Sequence, residues 1–561
     1  MTGNYGLKDC LLFFHLLHND SNLRTLYEPV KKTFLNIFSL IVIAVVLVQC
    51  AKRGTPTGGP IDEDPPEILR AYPDNYSVNF KAQEIEITFN EYIKLNDLQK
   101  QLVVSPPLKN APIITPQGGA AKKMTITITD TLETNTTYTF NFGQSIIDNN
   151  ESNPYPYYRY VFSTGSYIDS LQLKGKITDA LNYKADDFVN VLLYKMDSTY
   201  TDSLVFKGPP LYVLNTLDSL KTFTMENLAA GSYRMVGIKE ENNDLKFNPK
   251  TDKIGFISEP VTIPSDEVHE LKMYEPELDP SIKRVSHEGK SRFYVGYTGN
   301  LDSLNITPVE NNLFTKTRIT KLEKKDTLQF WFQPDLDRDS IFLKLEYKDF
   351  EEEKKVPLKE RYQDSLLVKQ LGDLSLATPL VLTASTPIES YDVSKMQLID
   401  KDSLSIDFKA SLDQFRNELT IDFPREESQR YVLETFPGAI SDFYGNTVDS
   451  LSFNGSTRTA GDYGNMEITL SGGNKWPAII QITKEDLTVV AEQTATSNTS
   501  YNFNFLNPGD YLIRVIYDRN RNGRYDPGDF LKSIQPEEVV YLPRVIELQA
   551  NWDVVETIKL N

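Results

Sequence analysis

Polar and apolar residues alternate strictly along Glu84-Ile85-Glu86-Ile87-Thr88-Phe89, Met124-Thr125-Ile126-Thr127-Ile128 and Tyr138-Thr139-Phe140-Asn141-Phe142. A period of two puts every second side chain on one face of a strand, whereas an amphipathic helix needs its apolar residues about every 3.6 positions. Related runs recur at 189–194, 341–347, 418–423 and 511–516, and beyond the N-terminal segment no comparably long stretch keeps the helical period. Asn, Asp, Gly and Pro separate the runs at the spacing of sandwiches. The expectation is an all-β chain of tandem β-sandwich domains, and 561 residues leave room for three to five of them.

Charge and residue inventory remove whole classes of function. With 59 Lys and Arg against 78 Asp and Glu the net charge is −19, which repels nucleic-acid phosphates. Cys10, Cys50, His15, His18, His269 and His287 are all the cysteines and histidines, too few for a disulfide framework or a Cys/His zinc site. A Ser/His/Asp triad would have to use His269 or His287, and no serine sits in a G-x-S-x-G turn. No glycine signature for a nucleotide occurs, so no cofactor is expected apart from a metal considered below. Carboxylate pairs for glycoside hydrolysis could come from anywhere in so acidic a chain, which makes their presence uninformative.

Lys31 and Lys32 precede an apolar run at 34–48, the charged-then-apolar order of a secretory signal and short for a spanning helix. Leu47-Val48-Gln49-Cys50 follows and resembles a bacterial lipobox, which implies lipidation of Cys50 as the mature N-terminus. Gln49 departs from the small residue of that pattern, and a signal anchor with an incidental cysteine is the alternative. Residues 1–29 lie upstream of an ordinary signal and read as a mis-chosen start, so 1–49 is expected to be upstream extension and signal peptide. The Gly, Pro and charge-rich stretch 50–63 reads as a tether. An outer-membrane, lipid-anchored location follows as an expectation. Surface export of Bacteroidota lipoproteins is associated with acids just after the cysteine, and Ala51, Lys52, Arg53 and Gly54 lack them, which favours the periplasmic face.

Leu228, Gly231, Tyr233 and Pro249 match Leu506, Gly509, Tyr511 and Pro527 at a constant separation of 278 residues, the mark of an internal duplication. Each copy passes a Leu-x-x-Gly-x-Tyr turn into a strand and then an acidic, Asn-rich loop. This resembles the prealbumin-like modules related to carboxypeptidase regulatory domains. Asp64-Pro65-Pro66, the run 85–93, Val104-Ser105-Pro106 and Tyr138-Thr139-Phe140 leading to Ile147-Asp148-Asn149 resemble a bacterial Ig-like domain of the SbsA type. Tyr431-Val432-Leu433 leading to Ile440-Ser441-Asp442-Phe443-Tyr444-Gly445-Asn446 looks like the closing part of a degenerate second copy. The expected order is an Ig-like domain at 64–165, a prealbumin-like sandwich at 166–275, an unassigned β domain at 276–370, a degenerate Ig-like domain at 371–458 and a second prealbumin-like sandwich at 459–561. As a whole the chain is similar to Ig-like-domain lipoproteins of the Bacteroidota.

The sharpest local motif is Asp518-Arg519-Asn520-Arg521-Asn522-Gly523-Arg524-Tyr525-Asp526-Pro527-Gly528-Asp529. Oxygen side chains at Asp518, Asn520, Asn522, Asp526 and Asp529, with the Arg524 carbonyl between, have the spacing that wraps Ca²⁺, and Gly523 permits the turn. The competing reading is a turn held by Asx side chains bonded to their own backbone. The matching loop of the first copy offers Glu240, Asn242, Asp244 and Asn248 but carries Leu245 and Thr251 where the glycine and the last acid belong, so no calcium is expected there.

Asp followed by Ser or Thr and then an aliphatic residue or Thr recurs eleven times. The hydroxyls belong to Thr131, Ser170, Ser198, Ser203, Ser219, Ser303, Thr327, Ser340, Ser365, Ser403 and Ser450. The tripeptide resembles the O-glycosylation acceptor of secreted Bacteroidota proteins, and the competing reading is a turn before a strand whose first buried residue is Leu. Trp331, Trp476 and Trp552 are the candidate aromatic platforms for a sugar or a protein, against core packing. The expected function is non-enzymatic: an outer-membrane lipoprotein with a structural, binding or scaffolding role toward an envelope protein or glycan partner. A glycan-active enzyme, or its carbohydrate-binding accessory, is the alternative.

Overall fold

The computed structural model describes residues 62–217, 221–301, 303–322 and 325–560. Cys50, most of the tether and the signal segment therefore lie outside the described residues, as does Ser219. The chain divides into two compact units, Met1–Asp64 and Pro65–Asn561, and every described strand lies in the second. Its architecture is all-β. Two four-residue helices, Leu98–Gln101 and Leu204–Lys207, and two short 3₁₀ turns interrupt it.

Five sandwiches follow one another, with strands spanning 68–163, 171–273, 281–357, 368–456 and 464–559. Each has its own apolar core. In the first, strand Glu84–Leu95 turns Ile85, Ile87, Phe89 and Ile93 inward, and all are 1% exposed or less. It pairs with Ala121–Thr127, and past an irregularity between Thr88 and Ile93 it pairs with Ile146–Asp148. The fourth sandwich repeats this pattern, but there the long strand is split into Leu380–Ala384 and Ile388–Tyr391. Pro387, which has no N–H for a ladder, lies in the break. Asn417 bridges the gap, accepting from Ile388 N at 2.7 Å and donating to the carbonyls of Ala384 and Thr386.

The second and fifth sandwiches share a topology. Leu171–Asp179 pairs antiparallel with Thr222–Leu228 and parallel with Val268–Met273. Gly464–Ser471 pairs antiparallel with Ser500–Leu506 and parallel with Asp553–Lys559. In the facing sheets Asn190–Lys195 and Ala478–Thr483 occupy equivalent places beside Gly231–Lys239 and Gly509–Tyr517.

The repeated sequence motifs are explained by hydrogen bonds. Tyr233 Oη donates to Ala229 O at 2.9 Å and Tyr511 Oη to Asn507 O at 2.6 Å, so the Leu-x-x-Gly-x-Tyr turn is a tyrosine folded back on its own corner. A Cβ at Gly231 would lie 3.1 Å from the Tyr233 hydroxyl, a tight contact that the folded-back tyrosine would have to relieve. In the first and fourth sandwiches Tyr138 Oη accepts from Glu133 N and Tyr431 Oη from Glu426 N, at 2.9 and 2.7 Å. The shared Asp is a buried turn cap. Asp148 accepts from the amides of Asn150, Glu151 and Asn153, and Asp442 from those of Tyr444 and Asn446.

Candidate functional site

Most sandwiches bury one face of each sheet; the second and fifth bury both faces of one. Strand Asn190–Lys195 is buried at five consecutive positions and Ala478–Thr483 at all six. The outer face of the second sandwich, with Leu192, Tyr194, Val236, Ile238, Ile254 and Phe256, is covered partly by helix Leu204–Lys207 and partly by Phe530 of the fifth. The chain therefore folds back so that the fifth sandwich docks on the second.

Phe530 is 4% exposed, and its ring centroid lies 5.3 Å from Phe256 edge-on and 6.2 Å from Phe206. The Arg234 guanidinium sits over both Phe256 and Phe530, at 5.3 and 5.4 Å, and is anchored on the carbonyls of Ile257 and Ser258. Gly528 lets the loop approach, since a Cβ there would lie 2.7 Å from the Tyr274 ring and 2.8 Å from Ile534 O. Polar contacts fix the register. Arg514 and Tyr541 both donate to Leu181 O, at 3.2 and 2.7 Å, and Gln535 donates to Phe256 O at 2.9 Å.

The 518–529 loop carries Phe530 into this junction. Asp518 is 4% exposed and accepts from Asn522 N at 3.0 Å and Gly523 N at 2.9 Å. Asn520 and Asn522 turn their amide nitrogens to Asp526, and Asn522 Oδ1 accepts from Arg524 N at 2.9 Å. The four oxygen-bearing residues Asp518, Asn520, Asn522 and Asp526 are thus brought together in the Asx-bonded form. Asp529 is not with them; its carboxylate takes Lys532 N and the Lys532 ammonium, at 3.0 and 2.8 Å. The Arg524 side chain lies 3.5 Å from both Asp526 and Glu277.

Sequence reasoning missed Glu537, which is 2% exposed and accepts from Arg519 N at 2.7 Å and Asp526 N at 3.1 Å, closing the loop from beyond the twelve-residue motif. Burial, with the nearby Asp526 and Asp518 carboxylates, pushes its acid above the usual range against the pull of those two amides. Among the described residues no three His, Cys, Asp or Glu side chains converge as a metal site. In the first copy Glu240 repeats the role of Asp518, accepting from Asp244 N and Leu245 N, and Leu245 takes the left-handed conformation (φ 59°) that Gly523 takes (φ 75°).

Beside the docked loop a cleft of about 440 Å³ opens between the two sandwiches. Lys253, one of its lining residues, reaches Asp179 at 2.7 Å and Asp186 at 2.9 Å. Burial alone would lower its pKa, but the two carboxylates outweigh that and raise it. Tyr274 and Tyr525 are also lining residues, but their hydroxyl oxygens are buried in the protein, without a hydrogen-bond partner there.

The remaining candidate residues fall elsewhere. His287 Nδ1 accepts from Lys359 N at 3.0 Å, and His269 Nε2 lies 3.5 Å from Ser265 Oγ. Trp331 is 1% exposed, donates to Thr320 Oγ1 at 2.9 Å and packs on Tyr444 of the fourth sandwich. Trp476 is packed against the fifth core and Trp552 is 46% exposed. Of the acceptor-like hydroxyls, Thr131, Ser170, Ser198, Ser203, Ser303, Ser365, Ser403 and Ser450 are exposed, and Thr327 and Ser340 are half-buried. Ser170 and Ser450 immediately precede strands, and Thr327 and Ser340 begin them, as the turn reading also requires.

Residues 62–164 match the bacterial Ig-like domain family. No curated protein matches the chain. Among solved structures, domains 1–6 of the surface layer protein SbsC align over 82% of this chain and 66% of that one, just under two thirds, at 9% identity and a TM-score of 0.13. The major pilin subunit BcpA of Bacillus cereus aligns over 70% of this chain and 100% of its own at 13% identity, again with a TM-score of 0.13. Titin domains z1z2, in complex with telethonin, align over 33% and 97% at 11% identity and a TM-score of 0.12.

Proposed function

We propose that this chain is a lipid-anchored envelope protein, acylated at Cys50, tethered through 50–63 to the periplasmic face of the outer membrane, and acting as a stiff scaffold for an envelope partner. The observation that carries the reading is the set of fixed seams at three of the four successive junctions between sandwiches and between the fifth sandwich and the second. Val213 N donates to Ser105 Oγ at 3.0 Å and Arg159 pairs with Glu226 at 2.6 Å between the first and second. Arg318 pairs with Glu389 at 2.8 Å and Lys316 donates to Phe443 O at 2.9 Å between the third and fourth. Ala460 N donates to Glu427 at 2.7 Å ahead of the fifth, and Phe530 closes the fifth onto the second. Such seams resist the hinge motions expected of freely linked domains, which suits a spacer that holds partners at set positions. His287 accepts from the Lys359 amide and the Asp179 carboxylate serves Lys253, which fits the non-catalytic reading.

The exposed Asp-Ser and Asp-Thr hydroxyls support glycosylation of the mature protein, since a transferase could reach them without unfolding the chain. The test is a tagged pull-down from outer membranes with intact-mass analysis. The expected result is a diacyl or triacyl increment on a chain beginning at Cys50, hexose-type increments on the Ser and Thr sites, and a co-purifying envelope protein. An unmodified Cys50 thiol on protein recovered in the soluble fraction would overturn it.

A further inference from the structure

We propose that the chain is a latched hinge. The first and second sandwiches form one rigid arm, the third, fourth and fifth form another, the two turn about residues 275–280, and the Phe530 segment latches them closed. The arms follow from where the seams lie. In the first arm, besides the Val213–Ser105 and Arg159–Glu226 contacts, Asn243 Nδ2 donates to Gln99 O at 3.0 Å and the Lys100 ammonium sits 4.0 Å over the Phe188 ring. In the second arm Lys321 N donates to Phe415 O at 2.7 Å and Tyr444 Oη to Ser291 O at 3.1 Å, alongside the Arg318–Glu389 pair. The Arg458 guanidinium donates to Asn507 Oδ1 where the fourth sandwich runs into the fifth, next to the Ala460–Glu427 bond. Junctions tied through backbone and side-chain groups together resist the relative motion that is the default for linked domains.

The successive junction left over is the one between the second and third sandwiches. Its connecting segment, Glu275-Pro276-Glu277-Leu278-Asp279-Pro280, belongs to no strand or helix, and its three acids are exposed. The prolines restrict themselves and the residues before them, but Glu277 and Leu278 keep both soft dihedrals, and a few such residues at the end of an element are what a domain hinge requires. The docked loop of the fifth sandwich closes over the start of this segment. Tyr274, the residue before it, lies under Gly528 and meets Phe256 edge-on at 6.4 Å. Arg524 lies 3.5 Å from Glu277, and the Lys532 pKa is raised by Asp529 first and by Asp279 as well. Exposed pairs of this kind contribute little each and are screened by salt, so buried Phe530 is the catch and the charged rim sets its salt dependence. Four sandwiches closed into a ring with one hinge and one catch have two states: a compact brace when latched and a longer, two-armed form when the catch is released.

The hinge goes beyond the scaffold reading, whose stiffness it makes conditional on one contact, and it does not depend on acylation of Cys50. The test is single-molecule force measurement on the full-length chain carrying Cys10→Ser and Cys50→Ser, so that handles attach only at introduced cysteines. Handles at Lys174→Cys and Thr557→Cys, both exposed, load the latch between the second and fifth sandwiches. The expected result is a reversible lengthening at a load below that which unfolds any sandwich. Phe530→Ala should shift the open-to-closed ratio at a given load about a hundred-fold toward open, and raising NaCl from about 0.05 to 0.5 M should shift it further in the same direction. Gly528→Ala, a milder change, should move it the same way and stands in if Phe530→Ala does not fold. Handles at Glu353→Cys and Thr557→Cys, both within the second arm, should show no step at that load. The proposal is overturned if the parent lengthens only by unfolding a sandwich, if both variants leave the ratio within about three-fold of the parent, or if the within-arm pair shows the same step.

Discussion

Replacing Phe530 by alanine should release the fifth sandwich from the second without unfolding either. The ring is almost fully buried against Phe256, Phe206 and the Arg234 guanidinium. Burying such a side chain contributes about 2–3 kcal/mol, and two edge or tilted aromatic contacts add about 1 kcal/mol between them. Phe→Ala in a packed site costs about 3–5 kcal/mol once the cavity is counted, so a loss of about 3 kcal/mol in docking is a cautious figure. That is about a hundred-fold in the opening equilibrium. A melting curve is the wrong assay, because five cores need not unfold as one. Hydrogen exchange at Asp529 and Ile534 reports directly, since their amides exchange bonds with each other's carbonyls at 2.8 and 2.9 Å only while the segment is ordered. Protection there should fall about a hundred-fold while strands Gly231–Lys239 and Gly509–Tyr517 keep theirs. Exchange within about a factor of three of the parent, roughly 0.7 kcal/mol, would refute the docking account and assign the loop's order to Asp518 and Glu537 alone.

Other perturbations separate the remaining contributions. Tyr233→Phe and Tyr511→Phe should each weaken their corner by about 1–2 kcal/mol, seen as faster exchange at Gly231–Lys239 or Gly509–Tyr517 respectively; no change would reduce both tyrosines to packing. Gly528→Ala should partly undock the segment, because its Cβ meets the Tyr274 ring and Ile534 O, and the Asp529 and Ile534 amides again report it. The Asp148 carboxyl is opposed by burial, yet the amides of Asn153, Glu151 and Asn150 prevail and hold it below its usual range. Its folded pKa is therefore lower than its unfolded one, so its stabilisation is present at neutral pH and is lost as pH falls below about 4. Exchange at 150–153 should rise steeply between pH 5 and pH 3 after correction for intrinsic rates, and Asp148→Asn should flatten that dependence. If the 518–526 oxygens bind calcium, about 1 mM Ca²⁺ should slow exchange at Asn522 and Gly523 as the asparagine amides flip; an unchanged rate leaves the loop to its Asx bonds.

The fold class was legible because half-buried strands write their period into the chain, as Ile85, Ile87 and Phe89 do with their polar alternates. The duplication was legible only where its loops have equal length. Thr222–Leu228 and Gly231–Lys239 lie 278 residues before Ser500–Leu506 and Gly509–Tyr517, whereas the first strands begin at Leu171 and Gly464 and the last at Val268 and Asp553. The Ca²⁺-like spacing found four of its oxygen donors together but included Asp529, which a nearer lysine captures, and stopped short of Glu537, which reaches the loop through tertiary folding. The docking junction has no motif, because Phe206, Phe256 and Phe530 come from distant segments. One signal did precede it. Val191-Leu192-Leu193-Tyr194 and Ala478-Ile479-Ile480 lack alternation, and a strand apolar on both sides must have both sides covered.

The two copies of this shared topology use that second face differently. The second sandwich keeps an apolar outer surface that receives Phe530, whereas the fifth places Gln481 and Arg514 there, bonded to each other at 2.7 Å, with Arg514 reaching on to Leu181 O. One copy is a socket and the other a plug, so the contact is heterologous, and between separate chains a heterologous contact that does not close propagates into a filament. Within one chain the third and fourth sandwiches hold plug and socket together, and tethering of this kind gives effective concentrations up to the millimolar range when the connecting segment spans the sites. At micromolar protein an effective concentration in that range favours the intramolecular contact over the same contact with a neighbouring molecule by about a thousand-fold.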